Sequence, residues 1–92
     1  MRIKIRGKFW NLRFPRLDTK IHRGYCDPPN KPNKEIVVAS QLEGLEKLDI
    51  VLHELLHAAG WDVFDETFVA QTAADLARVL WRLGYRNEHE NE

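Results

Sequence analysis

The chain predicts an α+β domain: a small sheet of three, or four, strands, mixed or antiparallel, packed on two helices. Three observations lead there. The first forty residues carry period-two alternation and β-branched runs punctuated by Gly and Pro. From about residue 41 the apolar positions recur at helical spacing instead. At 92 residues the chain has room for one modest core. Residues 1–86 are therefore read as a single domain, and 87–92, which contain no apolar residue, as a frayed polar tail.

In order along the chain, Arg2-Ile3-Lys4-Ile5-Arg6 alternates cations with isoleucine, the pattern of a half-buried strand. Gly7 permits a turn or bulge, and residues 8–14 continue as a second strand that Pro15 ends. Gly24, Pro28-Pro29-Asn30 and Pro32-Asn33 make 21–34 a loop. Glu35-Ile36-Val37-Val38-Ala39 is the best strand, and at a sheet edge it would let an extended peptide add alongside; the plainer reading is an internal strand. Ser40 with Glu43 reads as a capping box before a helix starting near Gln41 or Leu45 and ending at Ala59. Its apolar stripe is Leu45, Leu48, Leu52, Leu55 and Ala59, with Asp49, His53 and His57 on another arc; Gly60 is placed to end it. Asp65 is an N-cap for a second helix, Glu66 to Leu83, with Phe68, Thr72, Leu76, Leu80 and Leu83 at helical spacing. Ala70, Ala73, Ala74 and Ala77 allow close approach to the first helix, and Gly84 follows the end. Trp10, Trp61 and Trp81 are read as core, with Trp61 also placed to roof a cleft beside the first helix.

The net charge is zero, but its distribution is uneven. Residues 1–34 hold ten Lys/Arg against two acids, a net +8, and residues 35–92 hold four against twelve, a net −8. A basic half attracts nucleic acid or an acidic partner. The plainer reading is that the halves pair in the fold and the alternating Lys/Arg form one solvated strand face. A single cysteine excludes an internal disulfide and fits a reducing compartment, and no apolar run reaches the ~20 residues of a membrane span. The expectation is a soluble, cytoplasmic protein.

His53-Glu54-Leu55-Leu56-His57 spells H-E-x-x-H within the first helix. Residues four apart share a helix face, so both imidazoles point the same way and can grip one metal ion. Imidazole suits Zn²⁺, and three protein ligands leave a position for water. Glu54, about 100° further round the helix, is placed to act as base toward that water. Asp49, one turn before His53, is either a partner for its free ring N–H or an exposed helix acid.

The motif admits several completions. The metzincin pattern fails: Gly60 matches its glycine, but its last ligand position holds Val63 and the only methionine is Met1. His-Glu-Leu-Leu-His-Ala-Ala-Gly-Trp-Asp, Asp65-Glu66-x-x-Val69 and Leu80-Trp81-Arg82-Leu83-Gly84-Tyr85-Arg86 together resemble short phage-encoded metallopeptidases of minimal gluzincin type. The likeness spans about 21–86 and includes Gly24-Tyr25-Cys26-Asp27-Pro28. It implies a zincin-like fold, one zinc ion held by His53, His57 and Glu66, Glu54 as general base and acid, and a peptide or protein substrate. Many gluzincins carry a longer insertion before the ligand helix, so Asp62 and Asp65 compete with Glu66 here, and first-turn acids are also expected from the helix dipole.

His22, Tyr25, Tyr85 and His89 are candidate donors to the oxyanion of peptide hydrolysis, or simply packing and solvent residues. Cys26 is read as a small loop residue, or as a thiolate that reaches the metal and holds the enzyme latent. The leading expectation is a zinc peptidase. Its rivals are a zinc-stabilised binding or regulatory module without turnover, and a peptidase brought to nucleic acid by the basic half.

Overall fold

The computed structural model describes residues 1–87. The tail residues 88–92, His89 among them, lie outside the described residues. Four strands, β1 (Arg2–Ile5), β2 (Lys8–Arg13), β3 (Gly24–Cys26) and β4 (Glu35–Val38), form a mixed sheet in the order β1-β2-β4-β3. β1 and β2 form an antiparallel hairpin with Ile5 opposite Lys8, so Arg6 and Gly7 alone make the turn. Both have positive φ, 51° and 83°, the geometry that suits the twist of a two-residue hairpin. β2 runs parallel to β4, and β3 closes the sheet antiparallel to β4.

Alternation along each strand sends one set of side chains to the helix side. Ile3, Ile5, Trp10, Leu12, Cys26 and Ile36 pack there with Leu55 and Ala58 of α1 (Gly44–Ala59). Val38, Ala39 and Leu42 form a second cluster with Leu17, Ile50 and Val51. Loops are tied to this core: the Trp10 indole donates to the Asp27 carbonyl at 3.1 Å, and Asp27 accepts from the Glu35 N–H at 2.9 Å. α2 (Glu66–Arg82) packs on α1 and on no strand, burying Val69, Ala73 and Ala77. The layers are thus sheet, α1, α2, with the other face of the sheet bare of helix among the described residues.

Several expectations need correction. Residues 21–34 are not all loop, because Gly24–Cys26 is a strand held by its pairing with β4. β4 is internal, so it offers no edge to a peptide. The Ser40/Glu43 capping box does not form: Ser40 N–H donates to the Pro15 carbonyl, and Glu43 is the N-cap without a side-chain cap bond. The face of α1 that meets the sheet is Ile50, Val51, Leu55 and Ala58, so the expected stripe shares Leu55 with it but not Leu45, which is exposed. On α2 the buried residues are Val69, Ala73 and Ala77; of the other alanines Ala74 is half-buried and Ala70 exposed, as are Phe68, Leu76 and Leu83. Trp10 is core as expected, but Trp61 is 40% exposed.

Candidate metal centre

Ile50 to Ala58 seat α1 on the sheet, and this rotation places His53 and His57 on the flank that meets the start of α2. After Ala59 the chain reverses in one tight turn. Val63 and Phe64 both donate to the Gly60 carbonyl, at 3.0 and 2.9 Å. Gly60 is required by packing rather than by a left-handed φ: its φ is −136°, and a Cβ there would run into the Phe64 ring. Asp65 then caps α2 by accepting from the Phe68 N–H at 2.7 Å. With the cap fixed, the next residue, Glu66, swings back over α1.

There its carboxylate spans the two imidazoles. His53 Nε2 lies 3.0 Å from Glu66 Oε1, and His57 Nε2 lies 2.9 Å from Oε2. The two Nε2 atoms are 3.2 Å apart. Donors bound tetrahedrally to zinc at about 2.0–2.2 Å stand about 3.3–3.6 Å from each other, so the cluster needs to open by only a few tenths of an ångström to match a metal's ligand shell. Its chemistry fits as well. Both imidazoles aim Nε2 at a carboxylate, and a cation satisfies three converging lone-pair donors together. His53, His57 and Glu66 could hold a metal ion; the identity of that ion is taken up below.

Glu54 is the buried charged residue of the core, 7% exposed. Burial first, and the Glu66 charge second, push its carboxyl up to about 7. It owes its place to Gly24. β3 approaches α1 so closely that a Cβ at Gly24 would sit 2.7 Å from the Val37 carbonyl, 3.1 Å from Ile50 and 3.4 Å from Glu54. The sequence pattern places Gly24 in a loop. The signal for its role was the short Gly24-Tyr25-Cys26 alternation, too brief to stand out between two loops.

Of the remaining candidates, Asp62 and Asp65 do not join the ligand group; Asp65 is committed to its cap. Asp49 makes no hydrogen bond to His53 among the described residues. Tyr85 is 63% exposed and lies at the far end of the helix pair, beside Phe14, Gly44 and Trp81, some 25 Å of helix away from Glu66. Tyr25 points to the face of the sheet opposite α1, and His22 packs edge-on against it at 6.4 Å. Cys26 is not in the ligand group: its Sγ donates to the Asp27 carbonyl at 3.3 Å, and burial, then the charges of Glu54 and Asp27, push its thiol up to about 12. Trp61 does stand at the cleft, edge-on to the His57 ring at 6.5 Å.

Fold and cluster together define a small α+β domain with a candidate three-ligand metal centre. Compared with known proteins, the chain matches no family model, no curated protein and no solved structure.

Proposed function

We propose that this protein is a zinc-dependent peptidase of minimal gluzincin type. The observation that carries the reading is the convergence of His53, His57 and Glu66 beside a buried glutamate that belongs to the same helical turn. Bound there, zinc supplies a Lewis acid that polarises an amide carbonyl and acidifies water. Glu54 supplies the proton transfers: it takes a proton from the water that adds to the carbonyl carbon, then gives it to the amine as the C–N bond breaks. Its burial beside the ligand group keeps that carboxyl within reach of both transfers. The edge strand beside Glu54 is β3, not the internal β4, and it runs over α1 with Gly24 against Glu54. An extended peptide added to β3 brings its backbone past the base without demanding particular side chains.

The rival reading, a zinc-stabilised module without turnover, calls for a closed four-ligand site. Among the described residues the group has three members, and the Glu66 side chain is 68% exposed, which favours a site open to substrate. The test is Glu54→Gln in zinc-loaded protein, assayed on a quenched-fluorescence peptide library. The expected result is at least a ~100-fold loss of hydrolysis, the scale of general-base catalysis, with zinc content unchanged. Equal turnover by the variant, or no turnover by zinc-loaded wild type, contradicts the assignment.

A further inference from the structure

The sheet face turned away from α1 has no helix over it among the described residues, and its composition is unusual. The chain places six cations before its first acid, Asp18. Strand alternation sends three of them, Arg2, Lys4 and Arg13, to this outer face, because Ile3, Ile5, Trp10 and Leu12 take the inner one. Glu35, which pairs with Arg13, is the acid beside them. The expected neutralisation of one half of the chain by the other is sparse: Arg13–Glu35 and Arg23–Glu46 are the ion pairs that join the two halves among the described residues. Basic charge therefore collects on the sheet, and the acids gather on the helices.

Two aromatic rings share the same face. Phe9 on β2 is 42% exposed and Tyr25 on β3 is 38% exposed. The Arg2 guanidinium lies 3.8 Å over the Phe9 ring, with Lys4 Nζ at 5.8 Å. A planar cation laid on an exposed ring offers both a flat surface for stacking and a charge for a phosphate.

We propose that this outer face binds single-stranded nucleic acid, with phosphates drawn to Arg2, Lys4 and Arg13 and bases stacked at Phe9 with Arg2 and at Tyr25. A single strand is favoured over a duplex for a geometric reason. The rings sit on an open sheet and no described helix projects from it to enter a groove, whereas the bases of a duplex keep their flat faces stacked inside. The surface is separate from the metal centre and does not depend on it.

The test is fluorescence anisotropy of the full chain with labelled oligo-U and oligo-dT of about 12 nucleotides, within the site sizes of small single-strand binders. With three phosphate contacts, log K should fall against log salt with a slope of about −2. Arg2→Glu with Lys4→Glu should weaken binding at least ~10-fold and flatten that slope. Phe9→Leu, which keeps apolar bulk and removes the ring, should weaken binding about 5- to 100-fold with the slope unchanged. No binding at about 50 mM salt overturns the proposal. So does tighter binding of a duplex of equal length, equal competition by an acidic peptide, or indifference to Phe9→Leu.

Discussion

Glu54 carries a stability consequence of its own. In the metal-free protein its folded-state pKa, about 7, lies above the ordinary 4.5 because burial, and then Glu66, oppose its charge. The folded chain therefore holds this proton more tightly than the unfolded chain does. The resulting stability is fully present below about pH 4.5 and is lost as pH rises through about 7. The whole effect is on the order of 3 kcal/mol. Urea melts of metal-free protein should show Glu54→Gln gaining on wild type steadily between those pH values; parallel curves would show that the burial carries no such cost. At this scale the sequence shows that His53 and His57 lie side by side, because i, i+4 spacing is a property of one helix. It was a poor guide to Asp49 and Tyr85, whose neighbours are decided by how separate elements dock.

Elements decide which acid joins the two imidazoles. Asp65 and Glu66 are adjacent acids in a first turn, and composition cannot rank them; the cap to Phe68 N–H does, by engaging Asp65 and freeing Glu66. Asp65→Ala should cost about 1 kcal/mol of stability in a thermal or urea melt. It should also weaken zinc binding less than Glu66→Gln does; the reverse order would make Asp65 the ligand. Gly24→Ala should cost about 1–3 kcal/mol, since the new Cβ meets a backbone carbonyl that cannot move aside, and it should lower turnover by displacing Glu54. Unchanged stability would mean that β3 stands off from α1. Both helices and three strands were legible from periodicity, while β3 was not. Three residues are too few to show a period, and β3 exists because β4 offers it a partner. The capping box misled for a related reason: Ser40 is engaged by Pro15, a contact 25 positions away in the chain.

The described molecule is a sheet, a helix and a second helix stacked in that order, and the candidate metal centre bridges the last two layers. Because α2 packs on α1 alone, an ion shared between them ties down the layer with the fewest partners. Zinc at about 1,000 times its Kd should add about 4 kcal/mol to unfolding stability, and a chelator should remove it. His57→Ala should abolish the response; a persistent zinc-induced shift in that variant would place the ion elsewhere. No described helix is long and apolar enough to cross a membrane. Charge separation between basic sheet and acidic helices was visible in the sequence as two halves of opposite sign, but its meaning was not. Pairing between the halves and segregation onto opposite faces have the same composition, and the fold chose mostly the latter. The claim on which the peptidase reading rests is that one ion sits among His53, His57 and Glu66. An anomalous-difference map recorded at the zinc edge from crystals of zinc-loaded protein should show one strong peak about 2.0–2.2 Å from both Nε2 atoms and a Glu66 oxygen. A map with no peak there, or with the peak ligated by Asp62 or Asp65, contradicts it.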